Sequence, residues 1–364
     1  MNPIRQTRAL TVGKIPVGGG APVSVQTMAN VDPHDVEGLV RQAESCAALG
    51  CDIFRMAVPD ADSARALGEV ARRTGIATVA DIHFDYRLAL AALAAGADAL
   101  RLNPGNIGGR DKVQAVARAA KEKGVPIRIG VNLGSIEKDL EPDFSREANF
   151  LRKAIPEALV TSALRHAKIL EDEGFFDIAL SVKASNVADT LAAYRLLAER
   201  TDCPLHIGVT EAGTFLPGTV RSCVALGILL SEGIGDTLRV SLTDEPEKEV
   251  RVGLEILRSL GMREPGASVT SCPTCGRTKT NVRRVASEVE LALEHLARRS
   301  GSRALPRVAV MGCAVNGPGE AKGADIALCG GDGEFLLYVK GQLIAKVPER
   351  DAVDKVVEYV AHSC

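Results

Sequence analysis

Tryptophan is absent and aromatic residues make up only 3% of the chain, so a stacking platform for nucleic-acid bases is not expected. No apolar stretch approaches the ~20 residues needed to cross a bilayer. The opening residues MNPIRQTRAL lack the basic-then-apolar run of an export signal. Neither sign of charge dominates: 44 basic against 46 acidic residues leave a net charge of −2, which argues against bulk binding to nucleic acid or membrane. Cysteine is not scarce, but nine is an odd number, scattered over a long chain without an export signal. The cysteines read as reduced thiols of a cytoplasmic protein, not as a disulfide framework. What remains is an ordinary mixture, 46% hydrophobic over 364 residues, enough for two or three domains with sizeable cores.

From about residue 20 to 245 one pattern recurs. A short β-branched run ends in polar residues and an Ala/Leu-rich helical stretch follows. The runs fall at 23–28, 52–56, 78–82, 99–103, 127–132, 177–182, 205–210 and 237–241. Segments such as 36–49, 63–74, 86–95, 112–123, 187–200 and 219–231 carry apolar residues at helical spacing. Eight strand–helix units in a row predict a closed (β/α)8 TIM-type barrel. The fifth unit carries a polar insertion, 134–155, expected to be a loop with a short helix over the barrel mouth. Gly and Pro cluster at 261–267, which predicts a boundary between a barrel over 1–262 and a small α+β domain over 263–364. The second domain should hold a Cys-Pro-Thr-Cys turn, a long helix at 285–299, β-runs at 307–311 and 326–329, a hairpin at 334–339 and 342–347, and a closing helix at 352–362.

In such a barrel the active site lies at the C-terminal ends of the strands. The residues expected there, in strand order, are Gln26; Arg55; Asp81 and His83; Arg101 and Asn103; Arg128 and Asn132; Lys183 and Ser185; Thr210 and Glu211; and Arg239 and Ser241. Five cations aimed at one barrel mouth would repel each other without an anion among them. Arg suits phosphate oxygens in a bidentate fashion and Lys supplies a point charge, so a compact polyanion such as a diphosphate is the simplest ligand. The alternative is a structural network in which Asp81, Glu211 and other acids neutralise these cations. Glu211 is either a proton shuttle or a counter-ion to Arg239 or Lys183. The glycine-rich 105–109 segment is a weak candidate for an anion-binding nest.

Cys272-Pro-Thr-Cys275 and the later Cys313-Ala-Val-Asn-Gly-Pro-Gly-Glu320 carry the second chemistry. The first motif alone fits zinc, a redox dithiol or an iron–sulfur cluster. A zinc ribbon would need a second close Cys or His pair, and His295 and His362 are isolated. A thioredoxin-like motif would open a helix inside a βαβ unit, whereas this one sits in a turn. Cys329 is a possible further ligand in a strand context that favours burial. Cys46, Cys51, Cys203 and Cys223 read as small buried hydrophobes, and terminal Cys364 as inert.

At this point the motifs carry a resemblance. Val-Gln-Thr-Met (25–28), Ala-Asp-Ile-His-Phe-Asp (80–85), Leu-Asn-Pro-Gly-Asn-Ile-Gly (102–108), Ile-Gly-Val-Asn (129–132) and Ser-Val-Lys-Ala-Ser (181–185) appear in order. Gly-Val-Thr-Glu-Ala-Gly (208–213), Gly-Ile-Gly-Asp-Thr (233–237), Ser-Cys-Pro-Thr-Cys-Gly-Arg (271–277) and Gly-Cys-Ala-Val-Asn-Gly-Pro-Gly-Glu-Ala (312–321) follow. Nearly the whole chain resembles the 4-hydroxy-3-methylbut-2-enyl diphosphate synthase family of the non-mevalonate isoprenoid pathway, in its compact two-domain form. Asn186, where an acid is common, is a small departure.

The resemblance implies reductive ring opening and dehydration of 2-C-methyl-D-erythritol 2,4-cyclodiphosphate to (E)-4-hydroxy-3-methylbut-2-enyl diphosphate. It implies a [4Fe–4S] cluster held by Cys272, Cys275, Cys313 and Glu320, with flavodoxin or ferredoxin as electron donor. It also implies a homodimer in which the cluster domain of one chain faces the barrel of the other. Arg55, Arg101, Arg128, Lys183, His83 and Ser241 would hold the phosphates, assisted by Asn103 and Asn132. Asp81, Thr210 and Arg239 complete the expected pocket. Glu320, a harder ligand than thiolate, is the one expected to yield its iron to substrate, and Glu211 is expected to deliver the proton for water loss. A zinc-stabilised barrel hydrolase or transferase and a non-catalytic iron–sulfur regulator are the rival classes. The pteridine-binding synthases use a similar barrel, an analogy of fold alone.

Overall fold

The computed structural model describes residues 4–264, 269–300 and 305–362. The chain divides into two compact units, Met1–Met262 and Arg263–Cys364.

The first unit opens with an antiparallel hairpin, β1 (Leu10–Val12) and β2 (Ile15–Val17), which the strand–helix pattern does not announce. Eight parallel strands follow: β3 (Ser24–Met28), β4 (Ile53–Ala57), β5 (Ala77–Asp81), β6 (Ala99–Leu102), β7 (Ile127–Asn132), β8 (Ile178–Lys183), β9 (His206–Ile207) and β10 (Thr237–Leu238). Their order is β8-β7-β6-β5-β4-β3-β10-β9, and a single parallel bridge, Leu180 to Leu205, joins the two ends into a ring. Around it run α1 (Val36–Leu49), α2 (Ala61–Thr74), α3 (Tyr86–Ala95), α4 (Arg110–Lys123), α5 (Ala148–Glu171), α6 (Val187–Arg200), α7 (Phe215–Ser231) and α8 (Pro246–Ser259). The expected TIM-type barrel is present.

Strand periodicity explains the layering. Phe54, Met56, Leu100, Leu102, Ile129, Val131, Leu180 and Val182 pack outward among the helices in the main core. Their alternates Ile53, Val79, Ala99 and Ala179 face inward and meet Leu10, Val12 and Val17 of the hairpin. Successive side chains of a strand point to opposite faces, so the hairpin floors the barrel with apolar groups. A cavity of about 30 Å³ remains at that floor.

Three expectations change. The insertion after β7 is a loop, but its helix is not short: α5 begins at Ala148 and runs unbroken through Pro156 to Glu171. Leu159, Val160 and Ala163 on the following turn are fully buried, and this packing holds the helix together across the proline. β9 and β10 are only two residues long, so Thr210, Glu211 and Ser241 lie in loops beyond them. Cys46, Cys51 and Cys203 are buried as expected, but Cys223 is exposed on α7, and Cys364 lies outside the described residues.

The second unit is a five-stranded sheet in the order β11 (Val269–Ser271), β12 (Val308–Met311), β13 (Ile326–Gly330), β14 (Glu334–Val339) and β15 (Gln342–Pro348). The first three strands are parallel and the last two form the expected antiparallel hairpin. Val308, Val310, Ile326 and Leu328 turn to one face and pack with Val285, Val289 and Leu293 of α9 (Val282–Ser300). The one-turn α10 (Gly317–Glu320) follows β12, and α11 (Ala352–Ala361) adds Val356 and Val360 to the same core as α9. Ala309, Met311, Ala327 and Cys329 turn to the other face and make a smaller cluster with Ala321.

Candidate active site

The interior of the barrel above its floor is charged. Arg55 and Arg101 both reach Asp81, at 2.6 and 3.3 Å. His83 Nε2 lies 3.1 Å from the same carboxylate. Burial alone would raise the Asp81 pKa, but the charges of Arg55 and Arg101 and the His83 hydrogen bond outweigh it and hold the carboxyl well below its usual range. Burial draws Arg55 down to about 10. Asp81 is therefore the clamp that aligns two arginines, and its oxygens are already committed.

Asp81→Asn should leave two buried guanidinium groups underpaired. The expected cost is roughly 3–5 kcal/mol, measured by urea unfolding at pH 7. Because the folded-state pKa is depressed, the wild-type advantage is present above about pH 4. The gap between the two proteins should narrow as the pH falls below that.

Arg239 does not use Glu211, the alternative counter-ion, as its partner. Its guanidinium forks onto Glu249 of α8, Nε to Oε2 at 3.1 Å and Nη2 to Oε1 at 3.2 Å. Thr27 Oγ1 and the Leu242 amide also donate to Glu249, at 2.7 and 3.0 Å. Glu211 takes no part in this network. It is exposed, in the loop after β9, with φ at +52°. That left-handed backbone is uncommon for a residue with a Cβ and is a reason to look for function there.

Arg128 is not at a strand end. It is the second residue of β7, level with Arg101 on β6, and only 7% exposed. Its Nη2 has no hydrogen-bond partner. Lys183, the last residue of β8, has His206 Nε2 at 3.4 Å from its ammonium and, among the described residues, no other hydrogen-bond partner. Burial first, then neighbouring arginines, press both groups well below their ordinary values. Five cations thus face two carboxylates, Asp81 and Glu249, among the described residues, an excess of three positive charges. Two glycines make room for them. A Cβ at Gly130 would meet Arg101 Nε at 2.7 Å, and one at Gly208 would meet Lys183 Nζ at 2.7 Å.

Asn103 is buried and its Oδ1 accepts from the Gly130 amide at 3.2 Å; Asn132, Thr210 and Ser241 are partly buried nearby in sequence to the strand ends. In the glycine-rich 105–109 segment the Gly105 amide donates to His166 Nδ1 at 3.0 Å and the Asn106 amide to the Asn103 carbonyl at 2.9 Å, so these two amides are already committed. Asn186 caps α6, accepting from the Asp189 amide at 2.8 Å. Glu249 and His206 were not among the expected residues. Glu249 sits in a charged helical stretch that reads as solvent-facing, whereas His206 alternates with Gly208 and Thr210 and was open to detection.

In the second unit, Cys272 and Cys313 lie just past the C-terminal ends of the adjacent parallel strands β11 and β12. The Gly312 amide donates to Cys272 Sγ at 3.1 Å. The amides of Asn316 and Val315 draw the Cys313 thiol below its ordinary value. Glu320 closes the single turn of α10, near enough for its charge to act on Cys313. Thr274, between the paired cysteines, has φ at +67°, and Cys275 is exposed. Cys329 is fully buried, its thiol pushed up to about 12 by burial.

Among the described residues, no three His, Cys, Asp or Glu side chains are grouped to hold a metal ion. The chemistry of the donor set nevertheless fits an iron–sulfur group: thiols supplied from neighbouring turns, with backbone amides aimed at sulfur.

Residues 7–254 match the family model described as the GcpE TIM-barrel domain, and residues 268–362 match the GcpE protein C-terminal domain. The chain belongs to the GcpE family. This GcpE chain is 54% identical to the 4-hydroxy-3-methylbut-2-en-1-yl diphosphate synthase (flavodoxin) of Geobacter sulfurreducens, over 98% of this chain and 97% of the relative. It is 50% identical to the protein of the same description from Clostridium acetobutylicum, over 98% of both chains. Among solved structures, the Yersinia pestis dihydropteroate synthase superposes with a TM-score of 0.50 at 14% identity, covering 70% of the GcpE chain and 98% of its own. That likeness concerns the barrel fold alone. No helix among the described residues of the GcpE chain is long and apolar enough to cross a membrane.

Proposed function

We propose that this chain is a 4-hydroxy-3-methylbut-2-enyl diphosphate synthase of the non-mevalonate isoprenoid pathway, an oxidoreductase acting in the cytoplasm. The reaction opens the ring of 2-C-methyl-D-erythritol 2,4-cyclodiphosphate with two electrons, loses water, and leaves (E)-4-hydroxy-3-methylbut-2-enyl diphosphate. The observation that carries this reading is the buried excess of positive charge in the barrel, in a chain about half identical to synthases of that description.

Arg55, Arg101, Arg128 and Lys183 bind the diphosphate oxygens. Asp81 acts through the arginines it aligns. His83, Asn103, Asn132, Thr210, Arg239 and Ser241 line the substrate, and the apolar floor keeps water from entering behind it. Glu211 gives a proton to the departing hydroxyl oxygen. Cys272, Cys275, Cys313 and Glu320 would hold a [4Fe–4S] cluster, with the buried Cys329 outside the ligand set. That cluster, when bound, supplies the two electrons one at a time. Flavodoxin, the donor in the relatives' description, is the proposed partner, with ferredoxin as the alternative one-electron carrier. The proposal includes assembly as a homodimer.

The test is an anaerobic assay of the iron-reconstituted chain with the cyclodiphosphate and a reductant. The hydroxybutenyl diphosphate should appear, and its absence from a fully iron-loaded protein would sink the reading. Arg128→Ala should raise the substrate KM roughly 30-fold, the equivalent of ~2 kcal/mol for truncating a buried charge. Unaltered steady-state kinetics would remove Arg128 from the phosphate site.

A further inference from the structure

Lys183 differs from the other cations of the barrel. Arg55 and Arg101 are clamped by Asp81, and Arg239 is forked onto Glu249. Lys183 hangs on a flexible four-carbon stem, which offers no preorganised geometry of its own. A diphosphate site gains little from a charge that is not aimed. Among the described residues, no carboxylate pairs with it. A carboxylate would aim it, but would also cancel the charge that an anionic ligand needs.

The structure puts a neutral group in that place. His206 is the first residue of β9, and its side chain is 1% exposed inside the barrel. Its Nδ1 lies 2.6 Å from Thr237 Oγ1 on the neighbouring β10, and its Nε2 lies 3.4 Å from Lys183 Nζ. An ammonium can only donate, so against a charged Lys183 the Nε2 atom is the bare nitrogen and Nδ1 carries the proton toward Thr237. Tyr194 Oη donates to the His206 carbonyl at 2.7 Å and ties the strand down at this residue. Gly208, two residues on, leaves the space through which the lysine stem passes. Burial, then the charges of Arg128 and Lys183, hold the imidazole well below its ordinary value, which keeps it an acceptor.

We propose that His206 is a positioning residue for Lys183, a neutral acceptor that aims the ammonium at a diphosphate oxygen without neutralising it. The inference rests on the reading that Lys183 binds the diphosphate. Its mechanism is a contact through Nε2, so two amide replacements separate it from a structural role. Asn places its amide near the Nδ1 position and keeps the Thr237 side of the site. Gln reaches the Nε2 position and keeps the Lys183 side.

Calorimetric binding of inorganic pyrophosphate to the full chain tests this without requiring an active cluster. His206→Asn should weaken pyrophosphate about tenfold, the size of one lost hydrogen bond to a charged group. His206→Gln should stay within about threefold of wild type. In a Lys183→Met background, His206→Asn should have no further effect. Thermal melts of each variant establish that the barrel is folded, and Gln alone against wild type carries the comparison if Asn is not. The proposal is overturned if Asn binds as wild type does, if Asn outperforms Gln, if a folded Gln variant loses tenfold, or if Asn weakens binding equally without Lys183. A Lys183→Met variant that binds pyrophosphate normally overturns the underlying reading of Lys183 as well.

Discussion

Glu211→Gln is expected to lower turnover by about 10²–10⁴-fold while leaving iron content and the visible spectrum unchanged. Gln matches Glu in size and can occupy the same left-handed backbone position, φ +52°. Any strain at that residue is therefore carried equally by both proteins. What Gln cannot do is give up a proton to a leaving hydroxyl. Glu211 forms no ion pair among the described residues, and the counter-ion of Arg239 is Glu249. Removing the Glu211 charge should therefore leave the cation network intact, and substrate KM should change little. Turnover within a few-fold of wild type would withdraw the acid role from Glu211.

The second large effect concerns the sulfur ligands. Cys313→Ala should abolish the cluster, with iron per chain falling toward zero and the absorbance near 400 nm lost. The fold should survive. Cys313 is only partly buried and belongs to none of the apolar clusters of its unit, which are built from residues such as Val308, Val310 and Met311 on the strand before it. Cys329→Ala is the internal control. Its sulfur is buried among Ala309, Met311 and Ala327, so the variant should lose some stability yet keep its iron. Iron retained in Cys313→Ala but lost in Cys329→Ala would redraw the ligand set.

The barrel was legible because its period is simple. Runs such as Ile127–Asn132 and Ile178–Lys183 alternate between helix-facing and interior positions, and both strands stand close to where the pattern puts them. β9 and β10 were over-read. The apolar residues at 209 and 240 are buried, but they are buried in loops, and hydrophobicity alone does not distinguish the two. The hairpin at residues 10–17 was missed because two three-residue strands carry almost no period.

At the site, the residue types were legible and their depth was not. Nothing in Ile-Arg-Ile tells whether an arginine sits at the mouth or, like Arg128, low in the barrel wall. That depends on strand stagger, a property of the closed ring. The pairing of Arg239 with Glu249 joins a strand to the helix after it, and no local pattern reports such a contact. The cysteine motifs were legible as turns suited to a metal, but only the pairing of β11 with β12 shows that Cys272 and Cys313 follow neighbouring parallel strands.

The hairpin beneath the barrel has an electrical consequence. An apolar floor polarises poorly, so field lines from the uncompensated cations are not absorbed below. They leave through the open end, where low-dielectric walls concentrate them. The molecule as a whole carries a charge of −2, yet a small dianion approaching that opening meets an attractive funnel. Its capture rate should fall as added salt shortens the reach of that field. On the proposed diphosphate reading, Leu10, Val12 and Val17, apolar residues with no charge of their own, thereby help set how fast the substrate arrives.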